Sequence, residues 1–193
     1  MPTRKRCFGT GDARYERYHD EEWGRPLEDG PDERALLERL VLEGFQSGLS
    51  WLTVLRKRDA FRDAFDDFQP DLVAAYDEAD VARLMADGRI IRNERKILAA
   101  IRNARALVGL HDEGLRLADI IAEHRPDDWV RPATMAEAPS RTAASTALAR
   151  RLKRLGFTFV GPVTMHALQL AIGVVDGHPA DCWKTGGMVA EAS

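Results

Sequence analysis

Residues 31–58 read PDERALLERLVLEGFQSGLSWLTVLRKR, and the fold class follows from how this stretch is spaced. After Pro31 and Asp32, residues Leu36, Leu37, Leu40, Val41 and Gly44 recur at i, i+1, i+4, i+5 and i+8, which is one apolar face of a helix. Gly48 predicts its end. Ser50 is the residue type that caps a following helix, and Leu52, Leu55, Phe61 and Phe65 continue the inward face.

The pattern continues downstream. Pro70 opens a short helix over LVAAY, and Glu78 begins another that stops at Gly88. A long helix is predicted over NERKILAAIRNARALVGL, and a shorter one over about 116–124 ending before Pro126. Residues 127–141, with Pro132 and Pro139, read as irregular linker. TAASTALARRLKRLG and PVTMHALQLAIGVV supply two last helices. No segment alternates apolar and polar residues with β-branched enrichment, so the chain reads as all-α, with helices from about residue 31 onward. At 193 residues it fits a single domain over 1–193, with two helical lobes sharing a core.

Composition narrows the function classes. No apolar run approaches the ~20 residues that span a bilayer, and MPTRKRCFGT lacks the apolar centre of a secretory signal, so the expectation is a cytoplasmic protein. The net charge of −3 excludes a general polycation but not a local basic face. Three basic clusters stand out: Arg56–Lys57–Arg58; Arg89, Arg92, Arg95, Lys96, Arg102 and Arg105; and Arg150, Arg151, Lys153 and Arg154. Each is either a binding surface or a solvated helix face.

Four features could carry chemistry. VARLMADGRIIRNERKILAAI is a helix, a turn at Gly88 and a basic helix; such a hairpin can offer backbone N–H groups to a DNA phosphate, or be a plain hairpin. Glu43 falls on or beside the apolar stripe, either as a desolvated functional acid or as a surface acid at its edge. Phe8, Tyr15, Tyr18, Trp23 and Trp51 are either core or platforms for stacking a base. Cys7, His19, His178 and Cys182 have the composition of a closed zinc site, although the Cys7–His19 spacing fits no standard finger. His111, His124 and His166 read as structural or surface residues.

The segments RYERYHDEEWG (14–24), LEGFQSGLSWLTVLRKR (42–58), IIRNERKI (90–97), GFTFVGPVTMHALQ (156–169) and VVDGHPADC (174–182) run in order along the chain. Together they resemble the bacterial DNA-3-methyladenine glycosylase I family. The resemblance implies a helix-hairpin-helix DNA glycosylase fold that hydrolyses 3-methyladenine from double-stranded DNA containing alkylated adenine, acting as a monomer. It also implies a structural zinc joining the two chain ends through Cys7, His19, His178 and Cys182. Glu43 and Tyr18 would hydrogen-bond the damaged base, Tyr15 and Trp51 would stack on it, and Trp23 would support the wall. Gly88, Arg92, Arg95 and Lys96 would hold DNA phosphate.

The chain departs from the family pattern at two places. Phe8-Gly9 follows Cys7 where the family carries a tryptophan two residues on, so Phe8 is expected at that wall. Asp87-Gly88-Arg89-Ile90 stands where glycine usually directly precedes the Ile-Ile-Arg run. A noncatalytic DNA- or nucleotide-binding module of the same fold, or a glycosylase for another alkylated base, would share these motifs.

Overall fold

The computed structural model describes residues 5–25 and 32–184, and all regular structure among them is helical. Asp12 starts the first helix, its carboxylate accepting from the N–H groups of Arg14 and Tyr15. Helix α1 (Ala13–Arg17) runs directly into a wider π turn over Tyr18–Glu22, closed by the Trp23 N–H on the Tyr18 carbonyl at 2.8 Å. This corrects the expectation that helices begin near residue 31. The segment lacks an aliphatic stripe, and the extra residue in its last turn throws its buried pair, Tyr18 and His19, out of helical phase.

Helix α2 (Glu33–Gln46) is capped by Asp32 and buried from Leu36 through Phe45. The predicted stripe is therefore too narrow a description: the helix passes through the middle of the molecule. Its polar residues survive burial by pairing, Glu38 with Arg62 at 2.8 Å and Arg39 with Glu22. Pro31, expected to open this helix, lies outside the described residues.

Around α2 lie α3 (Trp51–Leu55), capped by Ser50, and α4 (Arg58–Ala64). A 3-10 turn at Asp66–Phe68 leads to α5 (Pro70–Ala74) and α6 (Glu78–Ala86), the latter opened by an Asp77/Asp80 capping box. Helix α7 (Glu94–Asp112) packs on α2 and α5 and is capped by Asn93 on the Lys96 N–H. Helix α8 (Leu117–Ala122) takes its cap from α2, the Glu33 carboxylate accepting from the N–H groups of Leu117 and Ala118 at 2.8 and 3.0 Å. The expected linker then leads to α9 (Ala143–Arg154) and α10 (Pro162–Ala171), which pack on each other.

Helix α10 is shorter than its apolar run suggests. Gly173, at φ +69°, ends it, and the chain turns back toward the N-terminal segment. There the Trp183 N–H reaches the Lys5 carbonyl at 3.0 Å and Lys5 pairs with Asp181 at 2.5 Å. One apolar core, from Tyr18 through Phe61 and Leu107 to Leu168, connects all these helices.

Candidate functional site

Three elements meet at Glu43. It lies on α2, only 6% exposed, and the N-terminal segment brings Tyr15 and Tyr18 close enough for its charge to act on both phenols. Trp51, at the start of α3, packs its ring 5.4 Å from that of Tyr18, and Tyr15 lies 6.4 Å from Tyr18. Burial pushes the Glu43 carboxyl up to about 8, partly opposed by Arg39. Among the described residues the Trp51 Nε1 is buried without a hydrogen-bond partner. Unmet polar groups between rings are costly to the fold, and a flat, polar-edged ligand would satisfy them.

Phe8 links this slot to the second cluster. Its ring centroid is 5.0 Å from Tyr15 and 4.9 Å from both His19 and Trp23. Trp23 itself packs edge-on against His178 at 4.6 Å and reaches the slot only through Phe8. Its place is against the cysteine–histidine cluster more than at a base.

The His19 Nε2 faces both sulfurs, 3.1 Å from Cys7 Sγ and 3.3 Å from Cys182 Sγ, and ligand atoms of these three residues lie within 4.8 Å of one another. His178 stands beside them, its ring perpendicular to that of His19 at 5.2 Å and its buried Nε2 without a hydrogen-bond partner among the described residues. Each histidine Nδ1 is held by a carboxylate, Asp20 for His19 (2.8 Å) and Asp176 for His178 (2.9 Å). Burial and the neighbouring Cys182 push the Cys7 thiol up, a penalty that a bound dication would remove. Two sulfurs and the His19 imidazole nitrogen fit a soft-metal site, with the His178 Nε2 outside that close group of three. Gly24, at φ +75°, closes beneath it: a Cβ there would lie 2.8 Å from His178 Cε1. Asp20 and Asp176 escaped the sequence reading, although Asp20 adjoins His19 and Asp176 precedes His178 by two residues.

The basic residues divide by what they touch. Lys96, expected on phosphate, is instead 8% exposed, with its ammonium on the carbonyls of Phe45 (2.8 Å) and Ser47 (2.6 Å). It satisfies the carbonyl end of α2, so the phosphate expectation is corrected for this residue. Arg56, Lys57 and Arg58 are likewise engaged internally, with Asp12, the Gly88 and Arg89 carbonyls, and Glu22 respectively. Arg92 and Arg95, beside the Gly88 turn, are exposed as expected. Lys96→Met is expected to lower the melting temperature by about 3–8 °C and to leave the salt dependence of DNA binding unchanged. Arg92→Ala and Arg95→Ala should each reduce the slope of log affinity against log salt by about 1 and leave melting unchanged.

A second hairpin was legible only as a motif block. The α9–α10 turn is pinned by Asn103, which accepts from the Thr158 N–H at 2.7 Å and donates to its carbonyl at 3.1 Å. Phe159 lies against α2 at Gly44, next to Glu43. Helix α10 begins at Gly161-Pro162 with no side-chain cap, and Arg150, Lys153 and Arg154 are exposed on α9. Uncapped N–H groups and exposed cations on the preceding helix are the elements of an anion site. A basic run, a glycine-bounded turn and a proline at a helix start were its sequence signals. Leu49, 42% exposed on the turn joining α2 to α3, is an exposed large apolar side chain two residues before Trp51. Asp112 and Asp119 are exposed and have no place in the slot.

A family pattern described as methyladenine glycosylase matches residues 8–185. The DNA-3-methyladenine glycosylase 1 of Escherichia coli (strain K12) is 42% identical over 182 residues, covering 92% of this chain and 95% of that one. The DNA-3-methyladenine glycosylase of Haemophilus influenzae is 37% identical over 181 residues, covering 92% and 96%. A crystal structure of 3-methyladenine DNA glycosylase I superposes with a TM-score of 0.86 at 41% identity, over 92% of this chain and 98% of that chain. The Staphylococcus aureus glycosylase I structure concerned with 3-methyladenine recognition superposes with a TM-score of 0.83 at 33% identity, over 91% and 93%.

Proposed function

The chain belongs to the methyladenine glycosylase family, and we propose that it hydrolyses the N-glycosidic bond of 3-methyladenine in alkylated duplex DNA, leaving an abasic site. The observation that carries this reading is the Glu43 carboxyl, 6% exposed and raised by burial, acting on Tyr15 and Tyr18 where the Tyr18 ring meets Trp51.

Adenine methylated at N3 is cationic while attached to the sugar and leaves as a neutral base. The glycosidic electron pair departs with the purine, water bonds to the sugar carbon, and a proton passes to solvent. Such a leaving group needs little acid catalysis, so the protein's work is selection and charge stabilisation. Glu43 and Tyr18 bind the polar edge of the extruded base, and Tyr15, Trp51 and Phe8 cover its faces, each stacked ring contributing about 1–3 kcal/mol. A negative charge in a dry slot favours the purine cation over ordinary adenine, and then favours the positive charge as it moves to the sugar. The fold is of the helix-hairpin-helix type, with the turns at Gly88 and Gly156–Gly161 toward the phosphates and Leu49 available to fill the gap left in the stack. The protein acts as a monomer in the cytoplasm.

Cys7, His19, His178 and Cys182 would hold a zinc ion. Four protein ligands leave no open position, so the ion would supply a cross-link between the chain ends and no chemistry at the sugar.

Chromatography of bases released from methylated duplex DNA tests the reading, with 3-methyladenine expected above an enzyme-free control. Binding without release would instead favour a noncatalytic module, and a different released base another lesion specificity. The rate should also depend on pH with a definite sign. The slot needs Glu43 ionised, and its carboxyl is raised to about 8, so release should climb as pH rises through about 8 and be suppressed below it. A rate that fell over that range would contradict the role given to Glu43.

A further inference from the structure

Behind the slot lies a buried arginine that takes no part in the reading above. Arg39 precedes Glu43 by four residues on α2, so the two side chains leave the same face one turn apart. It is 9% exposed. Its guanidinium carbon stands 5.7 Å from the Tyr18 ring centroid, and it pairs with Glu22, which also accepts from Arg58 Nη1 at 2.5 Å. Glu22 belongs to the same π turn as Tyr18. One carboxylate thus ties α2, α4 and the Tyr18 turn together.

This arrangement is expensive as mere packing. Among the described residues the Arg39 Nη1 is buried with no hydrogen-bond partner, and a desolvated, incompletely paired cation costs more than an apolar side chain of similar volume. A cost kept beside a buried acid invites an electrostatic reason.

We infer that Arg39 is a positioning residue for base selection, which clamps the Tyr18 ring and supplies a positive field that favours the carboxylate form of Glu43 for a cationic purine. The inference rests on the base-excision reading given above. The other titratable or charged groups around Glu43 do not do this. Tyr15 and Tyr18 approach from the N-terminal segment as phenols, and Arg58 on α4 acts on Tyr18. Lys96 on α7 is engaged with the Phe45 and Ser47 carbonyls. Arg39 is the charge that acts on Glu43 against burial. Because Glu22 sits across Arg39, the pair presents little net charge to an incoming cation, while the short reach along α2 still favours the ionised acid.

The test is the pH profile of kcat/KM for release of 3-methyladenine from methylated duplex DNA, with melting curves for each variant. Arg39→Gln is expected to move the midpoint of the rising limb upward by about one pH unit. Arg39→Lys, which keeps the charge, should leave the midpoint near that of the unaltered protein even if the rate falls. Glu22→Gln should move it the other way, since it uncovers the Arg39 charge, and this comparison decides the matter should Arg39→Gln fail to fold. An unchanged midpoint in Arg39→Gln, or an upward one in Glu22→Gln, overturns the inference while leaving the excision reading intact. If the unaltered protein releases no 3-methyladenine, the excision reading falls, and the inference with it.

Discussion

Glu43→Gln is expected to slow release of 3-methyladenine by about 100-fold while raising the melting temperature at pH 8. The two effects have one cause. Glutamine keeps the shape and can still hydrogen-bond the base, but the charge is lost, and a hydrogen bond to a charged group is worth roughly 1.5–3 kcal/mol where tenfold in rate is about 1.4. The stability sign follows from the raised carboxyl. A group that ionises at about 8 in the folded protein and near 4.5 when unfolded binds more protons folded than unfolded between those values. Its penalty is absent below pH 4.5, grows as pH rises, and is fully present above about 8, at up to about 5 kcal/mol. The variant should therefore melt higher than the parent at pH 8 and no differently at pH 4.5. Normal release by Glu43→Gln would remove Glu43 from base recognition; equal melting at pH 8 would show that its carboxylate is solvated.

Cys182→Ser should lower zinc content and thermal stability together. The metal would close a loop from Cys7 to Cys182, and cross-linking a span of that length removes about 4–5 kcal/mol of chain entropy from the unfolded state. In a protein of this size that corresponds to a loss of about 10 °C or more. Release of 3-methyladenine should fall as well, because Cys7 and His19 belong to the segment that carries Phe8, Tyr15 and Tyr18 into the slot. Metal analysis with calorimetry checks this. Unchanged zinc in Cys182→Ser would exclude that sulfur as a ligand, and a chelator that left melting unaltered would reduce the cluster to packing.

Much of this was legible along the chain. The spacing from Leu36 to Gly44 is local information, and so are the caps at Asp32, Ser50, Asn93 and Thr142; helices follow because the 3.6-residue period and the first-turn hydrogen bonds involve near neighbours. The residues proposed for the slot and for the metal came through motif resemblance, since periodicity alone left Glu43 open between core and surface. The π turn at Tyr18–Glu22 was not, because its burial is aromatic and out of phase.

Which charge goes where was settled in three dimensions. Arg92, Arg95 and Lys96 look alike in a row of basic residues, yet one turn of α7 sends Lys96 inward to the carbonyl end of α2 and leaves the other two in solvent. Arg39 carries no signal of its own along the chain; its burial follows from the enclosure of α2 between Leu36 and Phe45 and its pairing from Glu22 on another element. Cys7 and Cys182 reach the same His19 nitrogen only because α10 ends at Gly173 and the chain returns to the N-terminal segment. Helix formation is set by neighbours a few residues apart, so sequence carries it. Desolvation and ion pairing depend on atoms brought together across the whole chain, and these come into being only when the core closes.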